Sequence, residues 1–155
     1  MKPHRVFFIL FIFFILSCSF SVRAQVPPSR ETRRTETLEE VHQFIHEYTA
    51  RFMKLELDPF MELFSEKAVE NRMLPYSDIR EAYRKTIEGS RSIKYNLLID
   101  SVQPFPRSVF VMGRYQIIQA FKLGGETTFS GDIQWDLIRE NGSLKIMEVN
   151  YGRNH

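Results

Sequence analysis

The strand-like segments of the C-terminal half constrain the fold of this chain most strongly. Residues 93–102, 109–122, 127–139 and 144–151 have the length and the β-branched or aromatic content of strands, and short turn-forming segments separate them. Asn141-Gly142 is the clearest of these turns, because both residue types accept the positive φ angles of a two-residue hairpin. The pattern predicts an antiparallel meander of four strands.

Three helical segments precede this meander. Residues 38–55 place apolar side chains three or four positions apart on one face. Asp58-Pro59 is typical of the start of a second, short helix. A third helix is predicted over residues 78–88, where Asp78 and Glu81 have the spacing of a capping box and Gly89 ends the helix. Helices first and hairpin-linked strands afterwards predict an α+β fold, with three N-terminal helices packed on a curved antiparallel sheet.

The N-terminus has the three zones of a signal peptide. Lys2 and Arg5 precede an unbroken apolar run over residues 6–16, and Val22-Arg23-Ala24 places suitable residues before a signal-peptidase cut. The apolar run is shorter than the roughly 20 residues that span a bilayer. We therefore predict residues 1–24 as a signal peptide, residues 25–37 as a flexible linker and residues 38–152 as one exported domain, periplasmic or secreted.

Cys18 leaves a second route of export open. Residues 15–18, Ile-Leu-Ser-Cys, are similar to a loose bacterial lipobox, in which the cysteine carries a lipid and becomes the mature N-terminus. The alternative localisation is therefore a lipoprotein anchored at Cys18. Membrane contact is expected only through the leader or through this lipid.

Removal of the leader changes the chemistry that the chain offers. Three of its 21 basic residues and its only cysteine precede residue 25, so the remaining domain is close to neutral and has no thiol for disulfides, catalysis or metal binding. Nucleic-acid binding usually needs a concentrated basic face, and this composition does not indicate one, so we do not predict such binding. His42 and His46 lie one helical turn apart but lack the glutamate of a zinc-binding motif. We therefore predict no metal site and no cofactor.

The order of elements, together with the closing segment WDLIRENGSLKI at residues 135–146, resembles the nuclear transport factor 2-like superfamily, which includes the SnoaL-like polyketide cyclases and the ketosteroid isomerases. The resemblance covers residues 38–152. It implies a cone-shaped, cystatin-like roll, in which the sheet bends around a pocket that the helices close. It also implies a small-molecule ligand in the pocket and a homodimer formed through the outer face of the sheet.

The resemblance to the ketosteroid isomerases implies three site residues. Tyr48 stands at the position of the oxyanion-hole tyrosine, Asp136 at that of a second, protonated donor, and Asn71 at that of the general-base aspartate. Enolisation needs a carboxylate base and donors aimed at the developing oxyanion. An asparagine amide is not a base, and Glu70 is expected to point to the other side of its strand. A standard isomerase is therefore not predicted.

Two of these residues also fit a structural interpretation. Tyr48 lies in the apolar stripe of the first helix, as a core tyrosine does. Asp136 alternates with Trp135 and Leu137, as expected on the solvated face of a strand.

Three functions remain open from the sequence. The first is binding of a small apolar or amphipathic ligand without catalysis. The second is an isomerase, dehydratase or cyclase that uses Tyr48 and Asp136 as donors with an unidentified base, and the third is a structural domain that dimerises through its sheet. The interior of the cone separates them, because a filled cone would remove both ligand-based functions.

Overall fold

The computed structural model describes the backbone of residues 30–152 and the side chains of residues 37–152. The predicted signal peptide, its cleavage site and Cys18 lie outside these residues. Three helices and six strands follow one another in the order α1 (Arg30–Met53), α2 (Leu57–Met61), β1 (Phe64–Glu70), β2 (Leu74–Pro75), α3 (Tyr76–Gly89), β3 (Ser90–Pro104), β4 (Ser108–Phe121), β5 (Glu126–Glu140) and β6 (Ser143–Tyr151).

The strands form one open sheet with the order β2-β1-β6-β5-β4-β3. The four long strands pair antiparallel in sequence order, which confirms the predicted meander. Asn141 and Gly142 have φ angles of 50° and 83°, so they form the predicted hairpin turn. The sheet is mixed rather than wholly antiparallel, because β1 pairs parallel with β6. The α+β fold class is confirmed, with this change to the sheet.

Alternation along the strands separates an inner from an outer face. On β5 the side chains of Ile133, Trp135 and Leu137 are buried, whereas Gln134 between them is exposed. Bulges interrupt the pairing of β3 with β4 and of β5 with β6. Such bulges bend a strand and increase its twist. The helices cover the inner face of the bent sheet.

The helices start earlier than the sequence pattern predicts. Helix α1 begins at Arg30 rather than at residue 38, and its predicted apolar stripe is buried through Val41, Tyr48 and Phe52. Helix α3 begins at Tyr76 and has no side-chain cap. The predicted capping box does not form, since Glu81 pairs instead with Arg84, 2.7 Å away. Within the described part of the chain, no helix has the length and hydropathy needed to cross a membrane.

Aromatic rings fill the space between the helices and the inner face. The ring of Tyr48 lies 5.1 Å from that of Phe60, 5.8 Å from that of Tyr95 and 5.6 Å from that of Trp135, measured between centroids. Tilted and edge-on contacts at these distances are favourable for aromatic pairs. The core is therefore a cluster of rings contributed by both helices and sheet.

Candidate functional site

Four tyrosines from four different elements bring their side chains together inside this core. The Tyr151 hydroxyl lies 2.7 Å from the Tyr48 hydroxyl and 2.7 Å from the Tyr83 hydroxyl. The ring of Tyr95 packs edge-on against Tyr48. We call Tyr48, Tyr83, Tyr95 and Tyr151 the tyrosine cluster.

Local sequence explains how each tyrosine reaches the interior. Tyr48 lies on the buried stripe of α1, and Tyr83 lies midway between the buried Ile79 and Ile87 of α3. Tyr95 and Tyr151 each follow a buried residue, Ile93 and Val149, by two positions on a strand. The periodicity of side chains along the helices and strands therefore directs all four tyrosines into the interior between the helices and the sheet.

Burial controls the ionisation of the tyrosine cluster. Loss of hydration raises the pKa of Tyr48, Tyr83 and Tyr151 well above the ordinary tyrosine value, and it also raises the pKa of Tyr95. All four hydroxyls are therefore neutral at physiological pH. Each can donate one hydrogen bond and accept others.

Glu70, at the end of β1, places a carboxyl beside this cluster. It pairs in register with Val149, whose side chain is fully buried, and it follows the buried Ala68 by two positions. Burial raises the pKa of Glu70, and the Tyr83 hydroxyl lowers it by a smaller amount. Glu70 therefore belongs to the inner face. The site prediction did not include it, because the pocket was assigned to the side of Asn71.

Asn71 does not continue the strand. Its φ angle of 48° places it in the left-handed region, at the turn between β1 and β2. Its backbone N–H donates to the Val149 carbonyl at 2.9 Å, and its side-chain Oδ1 accepts from the Tyr151 N–H at 2.8 Å. The structure thus places Asn71 in a turn that is tied to β6, with its amide committed to the backbone.

Asp136 lies on the outer face of the sheet. Its neighbours Trp135 and Leu137 point inward and are buried, and Asp136 is paired in register with Phe110 and Glu148. It lines a surface groove of about 450 Å³ together with those two residues and Phe105. Tyr48 and Asp136 are therefore on opposite sides of the sheet and cannot donate to the same ligand oxygen.

The interior around Tyr48 is filled. Tyr48 is 1% exposed and has four aromatic rings within 6.5 Å of its own, measured between centroids. Neither the tyrosine cluster nor Glu70 contributes to the grooves that described residues form beside Glu40, Ser65, Phe105 and Asp136. The structure therefore has no ligand space at Tyr48 itself. Glu70, Tyr83 and Tyr151 are half-buried as whole residues, in contrast to the buried Tyr48 and Tyr95.

Two buried polar groups near Tyr48 have no hydrogen-bond partner among the described residues. They are the hydroxyl of Tyr95, which is 5% exposed, and the Nε1–H of Trp135, which is 2% exposed. A buried donor without a partner is uncommon, because it loses its hydrogen bond to water. The Tyr48 and Tyr151 hydroxyls are close enough to that of Tyr95 to influence its pKa, so the Nε1–H of Trp135 is the clearer case of an unpaired donor.

The described residues offer no group of three or more histidine, cysteine, aspartate or glutamate side chains that could hold a metal ion. His42 and His46 are both exposed on α1.

Comparisons with known proteins identify the fold. No family model and no curated protein matches the chain. Similar solved structures include a nuclear transport factor 2-like superfamily protein from Salmonella enterica serovar Typhimurium, with 17% identity and a TM-score of 0.66 over 79% of this chain and 94% of that chain. A candidate scytalone dehydratase from Novosphingobium aromaticivorans has 9% identity and a TM-score of 0.71 over 79% of this chain and 87% of that chain.

A third similar structure is a candidate dehydratase of the nuclear transport factor 2-like family from Streptomyces avermitilis, with 10% identity and a TM-score of 0.68 over 78% of this chain and 99% of that chain. The chain therefore has the nuclear transport factor 2-like fold, as the sequence resemblance implied.

Proposed function

We propose that the domain binds a small, mainly apolar molecule at the Glu70 end of the tyrosine cluster and holds its polar group there without a chemical step. The observation that carries the proposal is the convergence of one carboxyl and two hydroxyls from three elements, β1, α3 and β6, at the half-buried side of an aromatic interior. Such groups cost free energy beside rings unless hydrogen bonds satisfy them. A ligand placed there would contact apolar rings and polar groups together.

The filled interior removes a ligand at Tyr48, as expected for a filled cone, and leaves only the half-buried residues Glu70, Tyr83 and Tyr151 as a place for one. Burial raises the pKa of Glu70 and the Tyr83 hydroxyl lowers it by a smaller amount, so the carboxyl is partly desolvated beside a hydroxyl group. The similar structures that are named as candidate dehydratases support a small molecule as the ligand of this fold.

Binding can be tested with two small probes of the same skeleton, 1-indanol and 1-indanone. We expect saturable shifts of the backbone amide NMR signals of Glu70, Tyr83 and Tyr151. The fluorescence of Trp135, the only tryptophan of the chain, gives an independent readout because its ring contacts Tyr48. Absence of saturable binding by both probes, or shifts confined to the outer groove around Asp136, would contradict the proposal.

A second candidate function is acid–base catalysis of the isomerase or dehydratase type. The observation in its favour is Glu70, an inward-facing carboxyl whose pKa burial raises above its ordinary value, which makes the carboxylate a stronger base. Asp136 and Asn71 take no part in this version, because the first lies on the outer face and the second lies in a turn.

Exchange of the C2 protons of 1-indanone in D₂O tests this second function. A catalytic Glu70 would give exchange that depends on the protein and is lost in the variant Glu70→Gln. If the bound probe exchanges its protons no faster than it does in buffer alone, the domain binds the probe without catalysing this reaction.

We also propose that the domain is exported. The proposal is supported by the charged, apolar and polar zones of residues 1–24. Mass spectrometry of the mature protein would separate cleavage after Ala24 from lipidation at Cys18, and an intact Met1 in the exporting host would contradict both.

A further inference from the structure

The groove on the outer face of the sheet brings carboxylates and aromatic rings to the same place. Asp136 of β5 and Glu148 of β6 are paired in register, and both line this groove of about 450 Å³. The side chains of Phe105 and Phe110 line it as well. No member of the tyrosine cluster does so, because those side chains point to the inner face. The outer groove is therefore distinct from the site proposed above.

The two carboxylates are poorly neutralised by the described part of the chain. Like charges directly opposite each other on neighbouring strands destabilise a sheet. No hydrogen bond or ion pair joins the Asp136 carboxylate to another described residue. Glu148 accepts a hydrogen bond from the Asn150 amide at 2.8 Å, and its Oε1 lies 3.8 Å from the Nε of Arg72, whose side chain is 85% exposed. An ion pair so long and so exposed contributes little, so the groove keeps an excess of negative charge.

The aromatic side of the groove is open to solvent. Phe105 is 55% exposed and lies between two prolines, in a loop that its backbone N–H closes by donating to the Ser108 carbonyl at 2.8 Å. Phe110 is half-buried on β4. Aromatic rings attract a cation through their quadrupole and give apolar contact to the body that carries it. Carboxylates beside such rings are therefore complementary to an organic cation.

We propose that the outer groove binds a small organic cation, an ammonium group on an aromatic or apolar body, with its charge at Asp136 and Glu148 and its body against the phenylalanine rings. The volume of the groove lies in the range of small-molecule sites. A hard metal ion would gain nothing from the rings, because it binds oxygen ligands alone. The proposal does not depend on the function proposed for the tyrosine cluster.

Two probes with one skeleton, 2-phenylethylamine and 2-phenylethanol, test the need for positive charge. At neutral pH the amine is protonated, as a lysine side chain is. For the wild-type protein we expect the amine to bind about tenfold more tightly than the alcohol, the effect of one hydrogen bond between charged groups. It should shift the backbone amide NMR signals of Asp136 and Glu148. Added NaCl should weaken binding of the amine and not that of the alcohol, because salt screens exposed charges.

Two charge variants should change the affinity for the amine in opposite directions. Asp136→Asn removes a carboxylate and should weaken binding about fivefold, the effect of one partly exposed ion pair. Arg72→Gln removes the competing cation and should strengthen binding about twofold. Asp136→Asn also relieves the opposition of like charges, so it should not unfold the domain. Asp132→Asn, at an exposed position of β5 outside the groove, is the matched control and should leave the affinity unchanged.

Three results would overturn the proposal. The first is equal affinity for the amine and the alcohol, or no binding of the amine. The second is weaker binding of the amine by Arg72→Gln, since charge would then not govern the groove. The third is a shift of the Asp136 and Glu148 signals by CaCl₂ and not by the amine, which would make the groove a metal site. The tyrosine cluster is tested separately with 1-indanol and 1-indanone, so failure at one site does not decide the other.

Discussion

Tyr48 has the structural role, one of the two alternatives that the sequence presented. It is a core residue, 1% exposed, and its hydroxyl is hydrogen-bonded to Tyr151 at 2.7 Å. The spacing of α1 predicts its burial, but the partner of its hydroxyl comes from a strand 103 residues further along the chain. Periodicity shows which face a residue occupies and does not show which distant group it meets.

Tyr48→Phe should keep the fold and lower the free energy of unfolding by about 1 kcal/mol, the typical contribution of one hydrogen bond. Tyr48→Ala should lower it by about 3–5 kcal/mol, because it also leaves a cavity among the rings. Urea denaturation measures both changes. Tyr76→Phe, at a partly exposed position, is the control and should stay within about 0.5 kcal/mol of wild type. Equal stability of Tyr48→Phe and wild type would show that the hydroxyl chain does not stabilise the fold.

The turn between β1 and β2 shows how one connection positions the site. Asn71 and Arg72 have φ angles of 48° and 59°, so both lie in the left-handed region. The turn ends β1 directly after Glu70, and the Asn71 amide fixes it to β6 at Tyr151. Glu70 and Tyr151, two of the three half-buried residues of the site, are therefore held by the same short element.

Asn71→Ala should destabilise the domain by about 2 kcal/mol, because it loses a hydrogen bond and places a Cβ in the left-handed region. Asn71→Gly keeps the φ angle at no steric cost, so it should lose only about half as much. Thermal unfolding ranks the two variants. The reverse order would contradict the role assigned to the turn.

Close approach between β5 and the end of β6 depends on a glycine. A Cβ at Gly131 would clash with the carbonyl oxygen of Gly152 and approach the ring of Tyr115. Gly131→Ala should therefore cost about 2–3 kcal/mol, the upper range of overpacking. Gly89→Ala meets no atom within 4 Å and is the matched control, expected to be neutral or slightly stabilising. Equal melting temperatures for both variants would be inconsistent with this packing.

At the scale of the whole molecule, the interior is aromatic and filled, and its one described inward-facing carboxyl lies at the rim. The folded state raises the pKa of Glu70 because it removes hydration from the charged form. The folded protein thus holds this proton more tightly than the unfolded chain does. The stabilisation that Glu70 provides is fully present below its unfolded pKa and is lost as pH rises through its folded pKa.

Glu70→Gln should therefore be more stable than wild type at neutral pH, where the variant carries no buried charge. The advantage should shrink as the pH falls through the folded pKa of Glu70, since wild type is then neutral at this position too. Melting temperatures over a pH series measure the difference. Glu66→Gln should show no such trend, and a pH-independent difference for Glu70→Gln would contradict the burial of its charge.

The sequence by itself determined the class of the fold and the order of its elements. Apolar periodicity located the helices and strands, and Asn141-Gly142 located the last hairpin, because these signals are local properties of the chain. They also placed Tyr48 on a buried stripe, but they left open whether Asp136 faces the pocket or the solvent.

Only the tertiary structure decided which polar groups meet. The parallel pairing of β1 with β6 turned Glu70 inward, and the turn at Asn71 removed that residue from the strand on which its position had been inferred. Tyr83, Tyr95 and Tyr151 join Tyr48 from α3, β3 and β6. No local pattern encodes these contacts. The register between distant strands and the packing of the interior are set only when the whole sheet bends around the helices.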